Sequence, residues 1–228
     1  VIIMDYQFNT ADLFFALPEM FMVAAIALIL LLDLFVSERF QNLTYYLTQS
    51  TLAITGYLAF NLIGESAVIF DGTFVLDTIG SYFKVFMMVF SIVALVYSRH
   101  YLRAHNLLKA EYFILSLLSV LGMMVMVSAH SMLTIYLGLE IMSLSLYTLI
   151  AMARERAVAV EAALKYFVLG AIASGLLLYG MSMIYGITGS LDIGQIAAFA
   201  TGANLISEQV LILNFGLVFL VIGIAFKF

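Results

Sequence analysis

The stretch SMLTIYLGLEIMSLSLYTLIAM, Ser131 to Met152, decides how the rest of the chain is read. It is an apolar run long enough to cross a bilayer, which takes about 20 residues for ~30 Å of hydrocarbon, and it carries one acid, Glu140, near its middle. A carboxylate at mid-membrane costs roughly 2.5–3.5 kcal/mol even on a lenient insertion scale. Burial of apolar surface therefore gives no reason to place it there, and such a residue is a functional hypothesis by default. Lys165 and Lys227, also set inside apolar runs, make the same demand.

The run is one of several. The chain is 65% hydrophobic and only 10% charged, with a mean hydropathy of +1.15, whereas apolar residues make up about half of a soluble domain. An all-α polytopic membrane protein follows, a single transmembrane domain over 1–228. About seven spans are expected, near 16–36, 44–63, 80–98, 111–129, 131–152, 160–185 and 209–228.

The cations test that count. Arg39 follows the first span; Arg99, Arg103 and Lys109 follow the third; Arg154 and Arg156 follow the fifth. The N-terminus and the connections after spans two, four and six carry no Lys or Arg, so alternation puts all six cations on one side. Cytoplasmic loops are the ones enriched in Lys and Arg. The N-terminus is then outside, and the seventh span runs inward.

Several function classes drop out. The net charge of −5 comes from acids in the outer loops and near span ends, and nothing supports nucleic-acid binding. With no cysteine, the chain holds no disulfide, thiolate-ligated iron–sulfur cluster or Cys nucleophile. Val1 to Asp12 is acidic and lacks the basic region of a cleaved signal peptide, so the first span reads as a retained anchor. The chain opens on Val1 and ends at Phe228 inside an apolar run, and a longer parent protein is expected.

Between spans, Pro18 suits the first turn of a helix. Ser66–Phe70 and Thr73–Asp77 flank Asp71-Gly72, a dipeptide that favours a tight hairpin turn, so an external β-hairpin is expected over about 66–77. Leu191, Ile193, Ile196, Ala197 and Phe199 around Asp192 and Gln195 predict a short helix on the outer interface.

The buried polar residues carry the chemistry. Helical spacing puts Tyr136, Ser143 and Tyr147 on the face of Glu140. A structural network is the plainer reading, but Ser and Tyr would supply one more cheaply than an acid. Asp77, Ser81 and Lys84 share a face of span three, with Asp77 interfacial and Lys84 reaching toward the surface. Glu161 and Lys165 stand at i, i+4 in the favourable order for a helical ion pair. Gly170 with Ser174 and Ala171 with Gly175 give small-xxx-small spacing, read as packing. Lys227 is either an interfacial lysine or a buried one able to switch charge. His100, His105 and His130 fall in or beside loops and read as surface residues. No phosphate-cradling loop, HExxH or nucleophile motif occurs.

Three segments together look familiar. Leu137-Gly-Leu-Glu-Ile-Met-Ser-Leu-Ser-Leu-Tyr147, Glu161-Ala-Ala-Leu-Lys-Tyr-Phe-Val-Leu-Gly-Ala-Ile-Ala-Ser-Gly175 and Gly223-Ile-Ala-Phe-Lys-Phe228 resemble the antiporter-like subunit N family of bacterial type I NADH:quinone oxidoreductase, respiratory complex I. The Glu-containing motif also recurs in related subunits and in multisubunit cation/proton antiporters. The resemblance implies the N-terminal half of a fourteen-helix fold in a membrane-arm subunit that couples quinone reduction elsewhere to proton translocation. Glu140 matches the essential acid of the fifth helix, Lys165 a lysine of the sixth and Lys227 the lysine at a break in the seventh. It further implies a bacterial inner-membrane location with a periplasmic N-terminus. The implied partners are other membrane-arm subunits and the lipid bilayer. NADH, FMN, iron–sulfur clusters and quinone would belong to other subunits, with no cofactor or metal in this chain. The other readings are a cation/proton antiporter subunit and a purely structural arm component.

Overall fold

The computed structural model describes residues 10–35, 41–105, 107–202 and 206–227. Arg39, the start of the chain and Phe228 lie outside the described residues. Among the described residues, nine helices and one hairpin follow in order: α1 (Thr10–Phe15), α2 (Leu17–Asp33), α3 (Gln41–Asn61), β1 (Ala67–Ile69), β2 (Phe74–Leu76), α4 (Thr78–Ala104), α5 (Ala110–Ser128), α6 (Met132–Ile150), α7 (Ala157–Thr188), α8 (Ile193–Ala200) and α9 (Ser207–Ala225). Five of them, α4, α5, α6, α7 and α9, are long and apolar enough to cross a membrane. The other two expected spans are helices of the same bundle: α2 has 17 residues, and α3 has 21 but is diluted by polar side chains. In hydrocarbon every backbone group must find its partner inside the segment, which these uninterrupted helices accomplish.

Their ends are set by local chemistry. Asp77 accepts from Gly80 N at 2.8 Å and starts α4; Ser131 accepts from Leu133 N at 3.3 Å and starts α6; Asp192 accepts from Gln195 N at 2.7 Å and starts α8. The expected short helix is thus present. Gly189 ends α7 in the left-handed conformation, φ 67°, its N–H on Tyr185 O. Pro18 sits in the first turn of α2.

Helices α2 to α5 form one unit, in which α3 and α5 each pack against both α2 and α4. Its core joins Met22 and Ile26 of α2, Leu52 of α3, Met88 of α4 and Phe113, Leu117 and Met124 of α5. α6 packs along α5, α7 along α6 and α9 along α7, around a second core of Leu139, Leu177, Met181, Ile184 and Leu213. Lipid is as apolar as a leucine side chain, so membrane helices gain by close van der Waals approach at small residues. Two close backbone approaches show this: a Cβ on Gly138 would stand 2.8 Å from Gly122 O of α5, and one on Gly180 would stand 2.6 Å from Gly216 O of α9.

The hairpin lies at one end of the bundle. Its register pairs Ala67 with Leu76 and Ile69 with Phe74. Asp71 and Gly72 have φ of 55° and 80°, and Thr73 N donates to Phe70 O at 3.2 Å, as the primed hairpin turns require. Phe74 bridges to Ala129, and Ser131 bridges to Asp192. One backbone hydrogen-bonded belt therefore links the hairpin, the α5–α6 connection and the segment before α8. Arg99, Arg103 and Arg154 lie at the opposite end.

Lys84 departs from the expectation of a surface-seeking lysine. It is fully buried, 1% exposed, with its amine 2.5 Å from Glu19 Oε1 of α2. The sequence places both residues in their own helices but does not show that α2 and α4 meet across the unit they share.

Candidate functional site

α6 carries Glu140 as the ninth of its 19 residues, so its capped, unbroken helix holds the carboxyl at mid-depth. α9 ends at Ala225, and the chain turns through Phe226, whose N–H bonds Ile222 O, to bring Lys227 level with that carboxyl. Lys227 Nζ donates to Glu140 Oε1 at 2.5 Å and to Ser143 Oγ at 3.3 Å. Its side chain is 2% exposed, which decides between the two readings of this lysine: it is buried, not interfacial.

A third helix completes the site. Ser174 Oγ of α7 lies 2.6 Å from Glu140 Oε1 and 3.0 Å from Gly170 O. Its hydroxyl thus donates to the same carboxylate oxygen that receives the ammonium. Sequence reasoning assigned Ser174 to packing and missed this role. Its position one turn beyond Gly170, on the small-residue face of α7, was the available signal.

The aromatic part of the predicted face is placed as follows. Tyr147 is buried, with its ring edge-on to Tyr166 at 4.6 Å and to Phe167 at 6.0 Å. A Cβ on Gly170 would run into the Tyr147 hydroxyl, so the bare glycine is what lets that ring lie against α7. Tyr136 packs a turn away from Glu140 against the second core.

Lys165 is not brought to this cluster. It pairs with Glu161 at 2.6 Å, as the i, i+4 spacing predicts, and both side chains are exposed, 71% and 65%. His130 lies 3.5 Å from Asp192 in the belt, and His105 stacks on Tyr101 near the arginine end. Among the described residues no group of three or more His, Asp or Glu converges as metal ligands.

The arrangement can hold and exchange a proton. An ammonium and a carboxylate in direct contact interconvert with amine and carboxylic acid by moving one proton, and a change at either site alters the affinity of the other. Removal from water makes every such interaction stronger.

The chain is similar in sequence and fold to known proteins. Residues 129–228 match the family described as NADH:quinone oxidoreductase/Mrp antiporter, TM, and these residues hold Glu140, Lys165, Ser174 and Lys227. The chain is 68% identical over 222 residues to NADH-quinone oxidoreductase subunit N of Ruthia magnifica, covering 97% of this chain and 46% of that protein. It is 50% identical over 227 residues to subunit N of Herminiimonas arsenicoxydans, covering 96% and 45%. The chain thus spans less than half the length of these relatives. Among solved structures, a chain of respiratory complex I from Thermus thermophilus superposes with a TM-score of 0.73 at 24% identity, covering 91% of this chain and 43% of that one. A chain of the Mrp complex from Dietzia gives 0.72 at 19%, covering 95% and 41%. These two show a shared fold, and the sequence matches show that residues 129–228 are similar to the NADH:quinone oxidoreductase/Mrp antiporter family and that the chain is similar to the matching part of subunit N.

Proposed function

We propose that the chain acts in a proton-translocating membrane-arm subunit of NADH:quinone oxidoreductase, with Glu140 and Lys227 as the groups that carry and couple the proton. The observation that carries this reading is the contact of the buried Lys227 amine with the part-buried Glu140 carboxylate at 2.5 Å, made between α6 and the turn after α9 and backed by Ser143 and Ser174. Taking two charges out of water costs several kcal/mol per ion. A membrane protein built only for packing has cheaper residues for the same space.

Lys165, exposed beside Glu161 on α7, is the proposed point at which charge passes beyond the pair. Quinone reduction, and the NADH, FMN and iron–sulfur chemistry behind it, would belong to other subunits, with which this one assembles in the membrane arm. The reading sets the chain in a bacterial inner membrane. The arginine end is then cytoplasmic, and the N-terminus and hairpin periplasmic, from the cation count.

The test uses the full-length protein in its assembled complex, reconstituted in vesicles. Glu140→Gln should abolish proton release while NADH-driven quinone reduction falls with it, and normal release from a normally assembled complex would sink the role. The family match supports a second reading, a cation/proton antiporter subunit. Proton exchange driven by Na⁺ or K⁺ without NADH would favour it.

A further inference from the structure

Of the nine Lys and Arg residues, three stand away from the arginine end and the loops: Lys84 in α4, Lys165 in α7 and Lys227 just past α9. Lys165 is exposed, Lys227 serves the site above, and Lys84 is left without a role. Its amine lies 2.5 Å from Glu19 Oε1, and beyond that contact neither side chain finds a polar partner among the described residues. Glu19 belongs to α2 and Lys84 to α4, the two helices that face each other across the α2–α5 unit. The ion pair thus crosses the middle of that unit near its hairpin end.

A hairpin side chain stands beside the position. The Phe74 ring of β2 lies 5.1 Å from the Lys84 amine. Phe74 packs with Ala16 and Ile69 in a small buried cluster over the pair, and its backbone bridges to Ala129 just before α6. Beneath, α3 packs against α4 with Gly56 close to Met88. Along α3 the hydroxyls of Thr55, Thr51, Thr48 and Thr44 continue as a buried polar line toward the arginine end. Each hydroxyl can both accept and donate.

Charges around the pair are few. α3 carries none, and the acid of α5's first turn, Glu111, is at the far end. Glu65 and Asp71 of the hairpin are exposed, Asp12 of α1 lies beyond Ala16, and Asp77 is engaged with Gly80 N. The nearest compensation for either ion is therefore the other.

We propose that Glu19 and Lys84 form a second proton-carrying pair, separate from Glu140 and Lys227, that exchanges protons with the water at the hairpin end beneath Phe74. In the outward step the Lys84 N–H bond breaks and an O–H bond forms on Glu19, giving a neutral pair. The Glu19 acid then releases that proton to water, and the Lys84 amine takes a new one from the bundle interior. A pair serving stability alone is poorly explained here, because apolar residues of similar volume are often as stable or more so by about 1–4 kcal/mol. The inference rests on the proton-translocating reading above.

The double variant Glu19→Leu/Lys84→Met, in the full-length protein within its complex, removes both charges together, and Glu140→Gln is run beside it. The expected result is normal assembly and loss of proton release, with quinone reduction falling as it does in Glu140→Gln. Normal release by the double variant, with release abolished in Glu140→Gln, overturns the second pair and spares the first. Normal release in both overturns the translocation reading itself. If the double variant does not assemble, infrared difference spectra of the wild-type complex decide. Acidifying the hairpin side should raise a protonated-carboxyl band that shifts in Glu19→Asp, and its absence overturns the proposal.

Discussion

Gly223 lies one helical turn before Lys227, where α9 presses on α7. A Cβ there would stand 2.8 Å from Leu177 Cβ and 2.9 Å from Ala173 O, against an ordinary contact of 3.4 Å. Gly223→Ala therefore forces α9 back by roughly 0.5 Å, within the 1–3 kcal/mol range that overpacked sites cost. If that retreat reaches Lys227, its 2.5 Å contact with Glu140 opens to ~3.0 Å. At an effective dielectric of about 20, the attraction falls from ~6.6 to ~5.5 kcal/mol, a loss of about 1 kcal/mol or roughly sixfold in the population of freed lysine. Labelling by a membrane-permeant amine reagent, read by mass spectrometry at Lys227, measures that population directly. Labelling should quicken about sixfold in Gly223→Ala, by the same Coulomb estimate. Glu140→Gln serves as the fully unpaired reference. Gly175→Ala is the comparison, because among the described residues nothing lies within 4 Å of its Cβ, and its rate should match wild type. An unchanged rate in Gly223→Ala beside a raised rate in Glu140→Gln would refute the claim that this helix contact positions Lys227.

Further outcomes follow from the same geometry. Ser174→Ala removes a donor to the Glu140 carboxylate, worth about 1.5–3 kcal/mol for a bond to a charged group, and should weaken coupled proton release at unchanged helix content by circular dichroism. Lys227→Met leaves the part-buried Glu140 carboxylate without its cation, at a cost of about 1–3 kcal/mol, so assembled protein on native gels should fall, while Glu140→Gln/Lys227→Met recovers assembly without recovering release. Gly72→Val puts a branched side chain at φ 80° and should lower thermal stability by about 1–3 kcal/mol. Lys165→Ala, in an exposed pair, should shift stability by no more than about 1 kcal/mol, so any larger loss of proton release reports its transfer role.

What the sequence reveals and conceals divides along a physical line. Hydropathy, turn dipeptides and the amphipathic pattern act within one segment at a time, and they locate the long helices, the Asp71-Gly72 turn and the short helix α8. The cost of an acid in hydrocarbon is likewise local, so Glu140 stands out before any partner is known, and the face it shares with Ser143 follows from helical spacing alone. Partners on other helices are not local. Ser174 reads as a small residue for packing until α7 is seen against α6. Glu19, next to Pro18 in the first turn of α2, reads as an acid at a helix N-terminus, where it is favoured in any case. Lys84 reads as a lysine reaching for the surface until Phe74 is seen to close that route. Periodicity fixes which side of a helix a residue occupies; it does not fix which helix that side meets. The two ion pairs each join segments distant in sequence, Glu19 with Lys84 and Glu140 with Lys227. The residues whose chemistry is hardest to read alone are therefore those whose charge is answered from another helix. An unexplained charge in an apolar run is better treated as half of an unseen pair than as an exception to burial.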